Sequence, residues 1–227
     1  MVSQYPTTPE SPAATYGAIL DSATEVFMES GFSGARVEEI ARRASANKAM
    51  IYYHFGSKQE LYRAVLTRLF APVIEEIGRL QAKAEPPDAR LRALYGRIAE
   101  HFAATRALPH IMLREILAGG QAMDAEASRT LMAIIGFVAT TLAEGVQKGV
   151  FRPVDPILLH MTVMGPLLLH SAGGAFRERL RQQAAPAIKP PDAAALVSHL
   201  LVVLDRALAP EPGVPHPPSP IASPLIR

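Results

Sequence analysis

No cysteine occurs among the 227 residues, which excludes disulfides and thiolate metal sites. Tryptophan is absent too, and aromatics make up only 6% of the chain. Strand-length runs of β-branched residues are scarce, whereas alanine and leucine dominate an apolar content of 49%. That balance predicts an all-α protein with ample material for a packed core. Catalytic signatures are missing as well. There is no glycine-rich phosphate loop, no GxSxG and no HExxH, and Asp88, Glu115 and Asp124 are scattered. No enzymatic activity is expected. An all-helical enzyme, or a small-molecule-binding protein, stays as the rival reading. The N-terminus MVSQYPTTPESPAAT has no basic region leading into an apolar one, so no secretory signal is expected. The most apolar run, ILLHMTVMGPLLLH at 157–170, holds two histidines and a proline and is too short to span a bilayer. A cytoplasmic location with no membrane partner is expected.

Positive charge is also missing where the chain begins. No Lys or Arg precedes Arg36, while Glu10, Asp21, Glu25 and Glu29 do. Between 36 and 58 stand Arg36, Arg42, Arg43, Lys48 and Lys58 against Glu38 and Glu39, five minus two, a local +3 in a chain of net charge +2. Total charge says nothing about nucleic acid, but its distribution marks this segment.

Residues 1–12 read as a disordered arm, and the Pro-rich tail APEPGVPHPPSPIASPLIR at 209–227 cannot form a helix. A first helix is expected from about Ala13 to Ser30, ended by Gly31. A second covers about Arg36 to Ala44, with Val37, Ile40, Ala41 and Ala44 forming an apolar stripe at i, i+3, i+4 and i+7. Asn47 caps a third helix over 48–54, and Gly56 stops it. Ser57 and Glu60 stand at capping-box spacing and open a long fourth helix over roughly 58–84. Further helices are expected at about 88–106, 108–118, 124–148, 155–183 and 191–208, with a kink at Pro166.

Two short helices joined by a tight turn make a helix-turn-helix unit. Val37, Ile40, Ala41, Ala44, Ile51 and Phe55 would form its small core. Lys48, Ala49, Met50, Tyr52, Tyr53 and His54 then have faces free to point outward. Lysine supplies charge, Tyr and His supply hydrogen bonds, Ala49 allows close approach, and Met50 suits a thymine methyl. Tyr52 could instead face the domain core, and Met50 could be surface filler. Arg42 and Arg43 read as a solvated helix face rather than as base readers.

The stretch GFSGARVEEIARRASANKAMIYYHFGSKQELYRAVL resembles the DNA-binding domain of the tetracycline-repressor (TetR) family of transcription regulators. IYYHFGSKQEL is its most specific part, and the likeness covers about residues 15–66. The resemblance implies an all-α homodimer, with an N-terminal three-helix DNA-binding domain at 13–61 and a C-terminal helical ligand-binding and dimerisation domain at 62–208. It implies DNA contacts from Lys48, Ala49, Tyr52, Tyr53, His54 and Lys58, the last as a phosphate clamp. Met50 joins that set from within the third helix, and Asn47 and Arg36 from the starts of the third and second helices. The chain departs from the family pattern at three places. Ala35-Arg36 stands where Thr or Ser usually caps the second helix, Ser45 replaces the turn glycine, and no Arg opens the first helix. Fewer phosphate contacts than usual follow, with Arg36 supplying one of them.

The C-terminal module carries apolar segments, LMAIIGFVATTLAEGV at 131–146 and the run at 157–170, that are apolar on more than one face. They suggest a core, a ligand cavity or a dimer face. Phe102, Met112, Met132, Phe137, Met161 and Met164 are candidate pocket residues, though any one of them taken singly reads first as ordinary core. His160 and His170 lie ten apart, a spacing that does not suggest a metal pair, and read as core or ligand-orienting histidines. His101 and His110 read the same way, while Arg114 and Glu115 could meet a ligand at the pocket mouth but read first as a solvated helix surface. No cofactor or metal is expected. The expected partners are a near-palindromic double-stranded operator, a small, largely apolar effector and a second copy of the chain. The last two long helices form the dimer face by resemblance, and the fourth helix, common to both modules, is the expected lever between effector and DNA.

Overall fold

The computed structural model describes residues 12–183 and 191–210. The expected arm and Pro-rich tail lie outside the described residues, apart from Pro12, which begins the first helix, and the pair 209–210. Among the described residues there are ten helices and no strand. They are α1 (Pro12–Gly34), α2 (Val37–Arg43), α3 (Lys48–Phe55), α4 (Lys58–Ala82) and α5 (Pro87–Ala104). Then come α6 (Ala107–Leu117), α7 (Ala125–Gln147), α8 (Pro156–Ala172), α9 (Gly174–Gln183) and α10 (Ala193–Leu208).

Local chemistry sets most of these ends. Asn47 Oδ1 accepts from the Met50 N–H at 2.8 Å and starts α3, and Ser57 Oγ accepts from the Glu60 N–H at 3.1 Å and starts α4. The reciprocal half of the capping box is not made, because the Glu60 carboxylate pairs with Arg63 instead. Asp124, Asp155 and Asp192 cap α7, α8 and α10. Arg36 opens α2 without any side-chain cap, as the missing Ser or Thr leads one to expect. Gly31, at φ 68°, interrupts α1, but a last helical turn continues to Gly34. Ser45, in the α2–α3 turn, takes a φ of 51°.

One expected element is divided. The single helix over 155–183 is two, α8 and α9, meeting at 64°. The bend is not at Pro166, through which α8 runs on, but at Gly173. There the chain turns so tightly that a Cβ would lie 2.6 Å from the Leu169 carbonyl oxygen, which only glycine tolerates.

The core is one continuous cluster. In the N-terminal unit Ile19, Phe27, Ile40, Ala41, Ile51 and Phe55 are buried, as the stripe on α2 predicted. Helix α4 runs out of that unit, packing on α1 at one end and on α5 and α7 at the other. Helix α6 lies against both α1 and α8. Helix α7 is long and apolar enough to cross a membrane by length and composition. Here it buries Ile134, Phe137, Val138 and Leu142 in the bundle, so it reads as a core helix. Neither α7 nor α8 is covered all round: Met132 on one and Ile157, Leu158, Met161 and Leu169 on the other stay exposed.

Candidate nucleic-acid interface and effector pocket

Helix α3 has two faces. Ile51 and Phe55 are buried, while Asn47, Lys48, Ala49, Tyr52 and Tyr53 form one exposed surface. Tyr53 is 86% exposed, the most exposed large apolar side chain among the described residues. Tyr52, 41% exposed, does not enter the core, which removes the alternative left open for it. Met50 is only partly available, since it packs against the core. His54 is half-buried, its ring edge-on to Tyr16 at 6.0 Å and to Tyr53 at 5.2 Å. Asn47 commits one lone pair of its side-chain oxygen to the α3 cap, and its amide N–H groups stay available for a partner.

The cations around this face are less free than the sequence suggested. Lys48 pairs with Glu38 at 2.5 Å and lies 5.9 Å from the Tyr52 ring centroid. The lysine hydrogen bond holds the Glu38 carboxyl below its usual range. Lys58 is half-buried, its ammonium 4.7 Å from the Phe32 ring centroid, and loss of water lowers its pKa. Arg36 is exposed. Arg42 is solvated, bonded to Glu39 alone. Arg43 departs from that reading: it reaches Glu29 on α1 as well as Glu39, tying α2 to α1. The hydrogen bonds from Arg42 and then Arg43 hold Glu39 at about 2.

The C-terminal bundle holds a cavity of about 270 Å³, open to solvent on one side near Ile116 and Met161. Phe70 and Val73 from α4, Ile98 and Phe102 from α5, and Leu108, Met112 and Ile116 from α6 form one side. Ile134 and Ile135 from α7 and His160, Met161 and Met164 from α8 form the other. The sequence-derived set divides here. Phe102, Met112, His160, Met161 and Met164 line the cavity, while Met132, Phe137 and His170 do not. Met132 is 57% exposed on the outer face of α7. Phe137 is buried in the core and does not reach the cavity lined by its neighbours Ile134 and Ile135. His170 sits at the α8–α9 end, in the field of Arg177 and Asp192. His101 and His110 each spend a ring nitrogen on a backbone carbonyl, of Leu69 at 2.7 Å and Arg106 at 2.6 Å.

The lining is hydrocarbon and thioether except at His160. Burial lowers the pKa of that ring, which favours the neutral form. Its Nδ1 lies 3.3 Å from the hydroxyl of buried Tyr95, a partner that sequence reading missed. The signal was present, since Tyr95 falls on the Leu91, Leu94, Ile98 stripe of α5.

Sequence reading also misplaced Glu115. It is not solvated but 4% exposed, and the Tyr62 hydroxyl donates to its Oε1 at 2.6 Å. Its Oε2 has no partner among the described residues. Beside it, Arg114 donates to the carbonyls of Met28 and Glu29 near the end of α1. Helix α6 therefore touches the cavity through Met112 and the N-terminal unit through Arg114, and meets α4 at Tyr62. Helix α6 thus packs against both the cavity and the N-terminal unit, as α4, the expected lever, also does.

Comparison with known proteins places the chain among similar ones. Residues 19–65 match the family model for bacterial regulatory proteins of the tetR family, and residues 87–185 match a tetracyclin repressor-like C-terminal domain. The transcriptional repressor NicS of Pseudomonas putida is 32% identical over 150 residues, covering 64% of this chain and 69% of that protein. The transcriptional regulator RutR of Escherichia coli is 33% identical over 143 residues, 61% of this chain and 65% of that one, so just under two thirds of its length is spanned. Among solved structures, the Bacillus subtilis regulator FadR in complex with stearoyl-CoA superposes with a TM-score of 0.63 at 19% identity, covering 85% of this chain and 98% of that one.

Proposed function

The chain belongs to the tetR family of bacterial regulatory proteins, a DNA-binding transcription regulator with a helix-turn-helix, and from that premise we propose a ligand-released repressor. It acts in the cytoplasm as a homodimer, has no catalytic role, and binds a near-palindromic operator. Residues 13–61 form the DNA-binding unit and residues 62–208 the effector and dimer unit. The observation that carries the reading is the exposed face of α3, where Lys48, Ala49, Tyr52 and Tyr53 stand together over a buried Ile51 and Phe55. A helix that buries one face and leaves aromatic hydroxyls and a lysine on the other suits a major groove. Arg36 supplies a phosphate contact, and His54 and Lys58 contact the flanking backbone once DNA offers a better partner than the protein.

The dimer face is proposed on α8 to α10, where Leu158, Leu169, Phe176 and Val202 are exposed without a covering element. Two copies joined there would set two α3 helices on successive turns of one DNA face, about 34–36 Å apart. The effector is proposed to occupy the apolar cavity and to favour a conformer in which that spacing no longer fits.

Fluorescence anisotropy with DNA from the chain's own upstream region tests the reading. Tyr53→Ala should weaken binding about tenfold or more, as loss of a contact worth ~1–3 kcal/mol would. Because Tyr53 is so exposed, stability should stay within about 0.5 kcal/mol and the dimer should be intact. A protein that ignores that DNA and every sequence drawn from a random pool is not a regulator of this kind.

A further inference from the structure

The cavity has a single polar feature, and its hydrogen-bond bookkeeping has a direction. Tyr95 is fully buried, and His160 Nδ1 is the one acceptor within reach of its hydroxyl among the described residues. A buried hydroxyl gives its proton to an acceptor when one is present. Were Nδ1 to carry a hydrogen and donate instead, the Tyr95 proton would be left without a partner. The Tyr95 bond therefore makes Nδ1 the acceptor and places the imidazole hydrogen on Nε2. Nε2 has no protein partner among the described residues, and the ring lines the cavity. No Lys, Arg, Asp or Glu lines it.

We propose that this site takes an uncharged, mainly aliphatic effector whose polar group is a hydrogen-bond acceptor, a ketone, ester or lactone carbonyl, held by the His160 Nε2–H. This rests on the reading of the cavity as the effector site. A carboxylate also accepts, but held at buried His160 it would lose its water without gaining a cation. An ammonium finds no anion and no free acceptor. The volume of about 270 Å³ sets the size. At ~30 Å³ for each water-sized unit of liquid, it holds on the order of ten non-hydrogen atoms.

The test uses the full chain and three probes of that size: nonan-2-one, nonanoate and nonylamine, by calorimetry at pH 8. Nonan-2-one should bind at least about tenfold tighter than either ion, given the cost of desolvating a charge in such a cavity. His160→Phe keeps a ring but removes the donor, and should weaken nonan-2-one about fivefold, the worth of one neutral hydrogen bond. His160→Gln retains an amide donor and should recover part of that loss. If nonanoate or nonylamine binds as tightly as the ketone, or if His160→Phe binds the ketone unchanged, the inference is overturned while the cavity remains an effector site. If no probe binds, the effector-site reading falls and the inference with it. Should His160→Phe not fold, the comparison of the three probes on the unaltered chain decides.

Discussion

Replacing Tyr62 by Phe removes one oxygen atom from the interface between α4 and α6. The ring stays, with its contacts to Phe27 at 4.7 Å and Phe32 at 5.1 Å between centroids. What is lost is the hydroxyl that donates to Glu115 Oε1 at 2.6 Å. Oε2 already has no partner, so the variant leaves both oxygens of a buried carboxyl group unsatisfied. Orphaning a buried acceptor costs about 1–3 kcal/mol. With a middle value of about 2 kcal/mol, and ~2–4 °C per kcal/mol for a chain of this size, Tm should fall by about 4–8 °C. Glu115→Leu added to Tyr62→Phe removes the orphan, so the double variant should be more stable than Tyr62→Phe alone. Thermal denaturation of the four proteins in the cycle measures this. A Tm for Tyr62→Phe within about 1 °C of the parent, or a double variant that is the simple sum of the two singles, would refute the linkage. The bond also joins the effector bundle to the helix leaving the DNA-binding unit. Operator affinity of Tyr62→Phe should therefore respond less to effector than that of the parent, by some part of the ~1–3 kcal/mol such couplings carry.

Three other perturbations follow from the geometry. Ser45→Gly should stabilise the fold by about 0.5–1 kcal/mol in urea denaturation, because Ser45 sits at φ 51°, where a Cβ is strained and glycine is not. Unchanged or lower stability would mean the turn is not strained. Gly145→Ala would put a methyl group into the Phe151 ring and should destabilise by about 1–3 kcal/mol. A neutral effect there would show that the α7–α8 connection repacks freely. Glu38→Gln frees Lys48 and removes a negative charge beside α3, so operator binding should tighten a few-fold at low salt and the gain should fade as salt rises; binding that weakens instead would place Glu38 among the residues DNA needs.

Much of the N-terminal unit was legible because its determinants act over a few residues. The stripe Val37, Ile40, Ala41 and Ala44 is buried, and Asn47 and Ser57 make their caps three residues on. Ser45, standing where a glycine was expected, takes the left-handed conformation that glycine would have eased. The candidate effector site was legible only in part. Phe102, Met112, His160 and Met164 were found, but Phe137 and the cavity residues Ile134 and Ile135 belong to one short apolar run on α7. Which of them meets the cavity depends on how that helix is rotated against its neighbours, and an all-round apolar pattern does not encode the rotation.

The sequence by itself determined the all-helical class, the caps and the division of α3 into a buried and an exposed face. Each follows from spacing and side-chain chemistry within one or two turns of helix. Only the tertiary structure decided which charges are free. Lys58 rests over the Phe32 ring, Arg43 became a brace to α1, and Glu115 turned from a solvated surface group into a buried acceptor for Tyr62, 53 residues away. A charged side chain takes its state from whatever partner or burial the distant chain brings to it, and at that range the sequence alone carries no geometry.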